Sequence, residues 1–134
     1  MKTIFVDTNI ILDVLLQNEG FWQDSLKVLR LAELGKVSVC ASASSMTDIF
    51  YITKKKLTTP VARDAIEKLL KLLVIVGVDG DDLQGALSLP IDDLEDALQV
   101  WCAKKVNADM LITRDAAGFA NIDMPVVTPA EFTA

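Results

Sequence analysis

Histidine is absent from this chain of 134 residues. Its absence excludes Ser–His and Cys–His nucleophile pairs, an imidazole general base and zinc sites built on histidine. Carboxylates remain as the side chains that can carry chemistry near neutral pH, and they favour hard, oxygen-binding cations such as Mg²⁺ or Mn²⁺. The missing residue type therefore directs attention to the acidic side chains.

Cysteine and long apolar runs are also scarce. Cys40 and Cys102 lie in apolar stretches of a chain without a secretory signal, which predicts two buried, reduced thiols and a cytoplasmic location. The longest apolar run, residues 69–78, contains Lys71 and is shorter than the roughly 20 residues that cross a bilayer. We therefore expect no membrane-spanning segment.

Basic residues are outnumbered by acidic ones. Thirteen Lys and Arg stand against nineteen Asp and Glu, a formal net charge of −6, which argues against a surface that binds polyanions in general. Any contact with nucleic acid must then come from local basic patches or bound cations. With 51% hydrophobic residues, the chain has the composition of one globular domain, residues 1–134.

The hydrophobic pattern alternates between short strands and helices. Strands are predicted over residues 2–6, 37–41, 74–78, 110–113 and 126–127. Helices are predicted over residues 9–16 with Asn9 as the cap, 21–34, 44 or 45 to 56, 58–73, 81–89 and 92–106. The 74–78 run is apolar throughout, which is typical of a buried parallel strand. The sequence thus predicts an α/β sandwich whose ligands gather at the carboxyl ends of its strands.

Acidic residues occur where these strands end. Asp7 directly follows the first strand and Asp115 closely follows the fourth, so both should emerge at one edge of the sheet. Asp48 lies in the third helix. Asp96 stands at the start of a row of apolar residues that share one face of the long helix. A buried carboxylate costs roughly several kcal/mol, and neighbouring carboxylates repel each other unless a cation neutralises them. The pattern therefore predicts a metal site.

Four ordered stretches and the tail carry a family resemblance. They read FVDTNIILD, SSMTDIFYI, DDLEDALQVWCA, ADMLITRD and IDMPVVTPAEF. In order and spacing they resemble the PIN-domain ribonucleases, many of which are toxins of VapBC-type toxin–antitoxin pairs. The resemblance covers nearly the whole chain and implies a PIN-like three-layer α/β/α sandwich with a central, mainly parallel sheet of four to five strands. The implied activity is metal-dependent hydrolysis of RNA phosphodiester bonds.

The resemblance also implies a set of catalytic acids. By position they are Asp7, Asp48, Asp96 and Asp115. Asp7, Asp96 and Asp115 would bind one or two Mg²⁺ or Mn²⁺ ions, and Asp48 would orient or deprotonate a water molecule. Asp93 is the alternative to Asp96 as the catalytic acid on the long helix.

The same resemblance implies a set of supporting residues, and the sequence departs from the family pattern at two positions. The supporting residues are Thr8, Asn9, Thr113 and Asp93. Asp48 stands where the family most often has Glu and reaches one methylene less, and Gly118 stands where a nearby family acid is expected. These departures leave the outer part of the site open at this point.

The expected partners are an RNA substrate, a small antitoxin protein and a second copy of the chain. The antitoxin's C-terminal segment would enter the acidic site, in some relatives with an Arg directed at the carboxylates. Candidate phosphate contacts are Lys54, Lys55, Lys104 and Arg114. No membrane partner is expected.

Several of these residues also have a purely structural interpretation. Asp7 could cap the first helix, Asp93 could favour a helix N-terminus by its charge, and Asp115 could lie in a turn. Asp48 could be a solvated helix residue, and Asp13 is expected to face water. The basic residues at 54–56 stand near a helix end, where positive charge is stabilising in any case.

Two other classes of function stay open at the level of sequence. A receiver-like phosphotransfer domain would need a phosphoacceptor Asp on a middle strand and a later Lys at a strand end, and neither is visible. A catalytically degraded PIN-fold protein, which only binds a partner or RNA, is kept open by Asp48 and Gly118.

Overall fold

A computed structural model of the protein describes residues 1–119 and 121–133. Within them, five parallel strands form one sheet in the order β3-β2-β1-β4-β5. The strands are β1 (Lys2–Val6), β2 (Val37–Ser42), β3 (Val74–Val76), β4 (Met110–Ile112) and β5 (Val126–Val127). The predicted parallel sheet is therefore confirmed.

Helices connect the successive strands. They are α1 (Thr8–Leu15), α2 (Trp22–Glu33), α3 (Ala43–Lys56), α4 (Thr59–Leu72), α5 (Gly80–Leu87), α6 (Leu94–Lys105) and α7 (Pro129–Thr133), with a 3₁₀ turn at Ala116–Phe119. In the described part of the chain, no helix is both long enough and apolar enough to cross a membrane.

The sheet separates two apolar cores, because alternate residues of a strand point to opposite faces. Ile4 and Val6 of β1 belong to one core with residues of α1 to α4, whereas Phe5 belongs to the other with α5 and α6. Cys40 and Cys102 are buried, unpaired thiols in this second core, and burial raises the pKa of each. The three-layer α/β/α architecture is thus present.

Two helix starts differ from the sequence prediction. Asp7, rather than Asn9, caps α1 and accepts a hydrogen bond from the Thr8 N–H (2.8 Å). Ser42, rather than a serine further along, caps α3 and accepts from the Ser45 N–H (3.2 Å). Each of these helices begins within two residues of the end of the preceding strand. A hydrophobic pattern does not show where a strand ends to that precision, so it did not identify the capping residue.

The third strand is shorter and more exposed than predicted. It ends at Val76 instead of residue 78, and Val74 is 51% exposed. The reason is its place at the edge of the sheet, where it pairs only with β2. An apolar run alone cannot distinguish an edge strand from a central one.

Helices α5 and α6 approach each other closely. A Cβ at Gly85 would overlap the ring of Trp101, so the contact requires glycine. Asp82 accepts from the Trp101 indole N–H (3.0 Å) and from Lys105 Nζ (2.9 Å). The Lys105 ammonium, followed by the Asp79 backbone N–H and the indole, lowers the pKa of Asp82 to about 2. This ion pair anchors α6, which carries part of the site.

Candidate active site

Asp7 lies at the carboxyl end of the central strand β1. Its backbone N–H donates to the Ile112 carbonyl of β4 (2.9 Å), and its side chain caps α1. The structural interpretation of Asp7 as a helix cap is therefore correct. It does not compete with a chemical role, because the cap uses one carboxylate oxygen and the strand end holds the residue at the edge where ligands bind.

Neutral donors surround the Asp7 carboxylate. Oδ2 accepts from the Thr113 hydroxyl (2.9 Å) and, at a longer distance, from the Asn9 amide (3.4 Å). Oδ1 accepts from the Thr8 N–H (2.8 Å) and the Gln99 amide (3.1 Å). Because these donors carry no charge, they orient the carboxylate and leave its negative charge in place. The structure thus brings the predicted supporting residues Thr8, Asn9 and Thr113 to Asp7.

Asp96 lies in the first turn of α6 and is partly buried. Its N–H donates to Oδ1 of Asp93 (2.9 Å), so Asp93 is the cap that precedes this helix. The structural interpretation of Asp93 placed its charge at this helix N-terminus but did not predict the cap. Burial and then neighbouring negative charges raise the pKa of Asp96 to about 6. In order of effect, the charges belong to Asp93, Asp7, Asp115 and Glu95. Two of the other predicted acids, Asp7 and Asp115, therefore lie close enough to Asp96 to act on it.

Gly118 shows how Asp96 and Asp115 face each other. A Cβ at this position would lie 3.5 Å from Asp115 Oδ2 and 3.9 Å from Asp96 Oδ2. Both carboxylates are thus directed toward the same space, which the glycine leaves open. Asp115 itself lies just after β4, where its N–H donates to the Thr113 hydroxyl oxygen (3.2 Å).

Asp48 is exposed on α3 and lines the same groove as Asp7 and Asp96. The groove has a volume of about 670 Å³. Beyond the acids its wall is largely apolar. The apolar lining residues are Leu12, Tyr51, Ile52, Leu83, Leu94 and Leu98.

Sequence reasoning missed Gln99 and Ser45. Both are buried, and the Gln99 amide contacts Ser45 Oγ at 2.9 Å as well as Asp7. The available signal was one polar residue in the otherwise apolar stretch 97–100 of α6. A single sequence could not show which residue it meets, since Asp7 lies 92 residues away.

The predicted phosphate contacts lie in different settings. Lys54 and Lys55 are exposed in the last turn of α3, with Lys55 Nζ 5.4 Å from the Tyr51 ring centroid, and Lys104 is exposed at the end of α6. Arg114 Nη1 instead lies 3.1 Å from Oδ1 of Asp13. Its guanidinium carbon also lies 4.6 Å from the ring centroid of Phe21, the residue directly before α2.

The expectation that Asp13 faces water is wrong. Asp13 is 1% exposed and is the carboxylate that pairs with Arg114. Its Oδ1 also accepts from the Asn18 amide (2.8 Å). A charge on α1 can be buried here because a cation from a segment 101 residues later reaches it.

The donor set fits a divalent cation that keeps part of its water shell. Within residues 1–119 and 121–133, no three acids lie close enough to enclose an ion by themselves. Mg²⁺ is commonly held by one or two carboxylates and several waters. Burial and then repulsion by neighbouring acids raise the pKa of Asp96, and a cation would relieve that repulsion. In the described residues, no Lys or Arg forms a salt bridge with Asp7, Asp96 or Asp115.

Replacing Asp96 with asparagine should stabilise the metal-free protein. The folded state raises the pKa of Asp96 from 3.8 to about 6, so it favours the protonated form, and this contribution to stability is lost as the pH rises through that window. With allowance for solvent screening, Asp96→Asn should increase the free energy of unfolding at pH 7.5 by about 1 kcal/mol. Urea unfolding in EDTA tests this. The gain should be larger at pH 7.5 than at pH 5.0, and an equal gain at both values would contradict the assignment.

The geometry can be compared with known proteins. A family model described as "PIN domain" matches residues 3–117. Ribonuclease VapC1 of Aquifex aeolicus is 26% identical over 136 residues, covering 98% of this chain and 93% of that protein. VapBC2 from Rickettsia felis, bound to a promoter DNA fragment, has a TM-score of 0.71 at 17% identity, covering 94% of this chain and 98% of that one. A toxin–antitoxin complex from Klebsiella pneumoniae has a TM-score of 0.70 at 24% identity, covering 94% and 97%.

Proposed function

Because this chain belongs to the PIN-domain family, we propose that it is a Mg²⁺- or Mn²⁺-dependent endoribonuclease and the toxin of a toxin–antitoxin pair. The observation that carries the proposal is the approach of Asp7 and Asp115 to Asp96 at one edge of the sheet, with Asp48 lining the same groove as Asp7 and Asp96. The named activity of the Aquifex aeolicus relative, a ribonuclease, supports the same reaction.

The mechanism follows from the places of the four acids. Asp7, Asp96 and Asp115 would hold the cation, one or two of them directly and the rest through its water molecules. When bound, the cation would lower the pKa of a water molecule and offset the charge that grows on the phosphate. Asp48, exposed on the groove wall, would orient the attacking water or take its proton. Thr113 holds Asp7 in its orientation through the hydroxyl hydrogen bond. Three of the carboxylates would therefore share the cation, and the fourth would act on the attacking water.

Basic residues would contribute phosphate contacts to RNA binding. Lys54, Lys55 and Lys104 are exposed near the ends of α3 and α6, and they would contact phosphates away from the cleaved bond. Arg114 is engaged with Asp13 and contributes to RNA binding only if that pair opens. With a net charge of −6, the protein depends on these local contacts and on the cation to accept a polyanion.

An antitoxin segment and a second copy of the chain are the proposed protein partners. The groove joins carboxylates to an apolar wall, which is complementary to an amphipathic segment that ends in an Arg directed at the acids. The Klebsiella pneumoniae structure is of a toxin–antitoxin complex. Exposed apolar side chains at Phe21, Leu34 and Tyr51 are the surface available for a homodimer.

One alternative keeps a specific observation in its favour. Gly118 leaves the space before Asp96 and Asp115 without the acid that the family resemblance predicts. A protein with a weakened metal site would bind its partner or RNA without cleaving it. The receiver-like alternative has no comparable support, since the family match covers residues 3–117.

Cleavage of fluorescently labelled RNA should require added metal. With Mn²⁺ or Mg²⁺ we expect multiple turnovers, and in EDTA we expect loss of cleavage that excess metal restores, because the carboxylates alone cannot neutralise the phosphate. Calorimetric titration with Mn²⁺ gives the affinity in parallel. Weak or absent Mn²⁺ binding together with no cleavage of any RNA would favour the non-cleaving alternative. Undiminished cleavage in EDTA would contradict the metal-dependent mechanism.

A further inference from the structure

The amide group of Gln99 joins three elements of the site. Its Nε2 lies 3.1 Å from Asp7 Oδ1, 3.2 Å from Thr8 Oγ1 and 2.9 Å from Ser45 Oγ. These partners stand at the end of β1, the start of α1 and the first turn of α3, whereas Gln99 belongs to α6. Only 6% of Gln99 is exposed, so water does not compete strongly for these contacts.

The hydrogen-bond pattern fixes which way the amide points. An ionised carboxylate only accepts, so Gln99 presents its NH₂ group to Asp7. The Thr8 hydroxyl donates to Ser45 Oγ (2.8 Å), which also accepts from Gln99. With both acceptor positions used, Ser45 directs its own proton to Ser42 Oγ (2.9 Å). A directed chain of hydroxyl groups therefore holds the amide in place.

The carbonyl oxygen of the same amide is buried without a partner. Gln99 Oε1 makes no hydrogen bond within the described residues, and an unsatisfied buried acceptor is unfavourable. Its neighbours Leu98 and Val100 are buried apolar residues, so packing alone would favour leucine or isoleucine at position 99. Local rules are broken mainly at functional sites, and here the gain is the contact with Asp7.

We propose that Gln99 is the positioning residue for the Asp7 carboxylate and, if the proposed nuclease function holds, for the divalent cation that this carboxylate would bind. Gln99 and the Thr8 N–H occupy Oδ1, whereas Oδ2 has one close donor, the Thr113 hydroxyl at 2.9 Å, and the Asn9 amide at 3.4 Å. Oδ2 is thus the less occupied oxygen and the one better able to bind a cation. A lysine or arginine at position 99 could orient Asp7 too, but it would neutralise the charge that attracts the cation.

The test compares Gln99→Leu with the same change at Gln84, which is exposed on α5. For Gln99→Leu we expect a roughly 10-fold lower Mn²⁺ affinity by calorimetry and a 10- to 100-fold lower kcat on labelled RNA, about the effect of losing a residue that orients a metal ligand. KM should change less than about twofold, because Gln99 is only 6% exposed and would act through Asp7. Gln84→Leu should match the wild type in both measurements.

The outcomes separate the two proposals. A folded Gln99→Leu protein with wild-type Mn²⁺ affinity and kcat, whatever its thermal stability, would show a merely structural role and overturn the positioning proposal. If that variant does not fold, Ser45→Ala releases the amide from its hydroxyl partner and should lower both quantities in the same direction. A wild type that neither binds Mn²⁺ nor cleaves RNA would refute the proposed function itself, and this result is visible without any variant.

Discussion

An Asp7→Asn protein should fold like the wild type and cleave RNA on the order of 10³-fold more slowly, the loss expected when several kcal/mol of charge stabilisation is removed. Asparagine caps helices as well as aspartate does, so α1 should still begin at the same residue. It lacks the negative charge, however, and its new NH₂ group meets the donors that now serve the carboxylate, Gln99 and the Thr113 hydroxyl. The loss should therefore appear in kcat and in Mn²⁺ affinity rather than in stability.

Single-turnover cleavage of labelled RNA in Mn²⁺ measures the effect, with circular dichroism and thermal unfolding as checks on the fold. The matched control is Asp64→Asn, the same chemical change at an exposed carboxylate of α4 that pairs with Lys68. Asp64→Asn should cleave at the wild-type rate. If the Asp7 variant cleaves as fast as the Asp64 variant, the carboxylates at the sheet edge do not carry the reaction.

Much of the architecture could be predicted because it depends on patterns that are local in sequence. Side chains repeat with a period of about 2 residues in strands and about 3.6 residues in helices, so the hydrophobic pattern distinguishes the two as they alternate along the chain. Parallel strands bring their carboxyl ends to one edge of the sheet. That reasoning correctly placed Asp7 and Asp115 at one edge of the sheet, where both contact the Thr113 hydroxyl. It failed for β3, because a three-residue apolar strand looks the same at the edge of a sheet as in its centre.

The partners of buried polar groups could not be predicted from one sequence. Gln99 meets Asp7 across 92 residues, and Arg114 meets Asp13 across 101 residues. Each pairing depends on how side chains from different elements pack, which periodicity does not encode. The useful sign in the sequence is a polar residue at an apolar position, which marks Gln99 on α6 and Asp13 on α1 as residues that need a partner.

Arg114→Ala should destabilise the protein by about 3 kcal/mol, because it leaves the 1% exposed Asp13 carboxylate without its cation. The value lies at the lower end for a broken buried pair, since the Arg114 side chain is itself 38% exposed. For a domain of this size the melting temperature should fall by roughly 10 °C. Urea and thermal unfolding measure the change. Arg63→Ala, at an exposed position of α4, is the matched control and should change stability by less than about 0.5 kcal/mol.

The double variant Asp13→Asn with Arg114→Ala decides what the arginine does. Removing the buried charge together with its partner should restore most of the lost stability, since asparagine can keep the hydrogen bond with Asn18 (2.8 Å) without needing a cation. If Arg114 serves only Asp13 and the segment that leads to Asp115, RNA cleavage should recover along with stability. Recovery of stability without recovery of RNA binding would instead assign Arg114 a phosphate contact. No recovery of stability would contradict the ion pair as the reason why Asp13 can be buried.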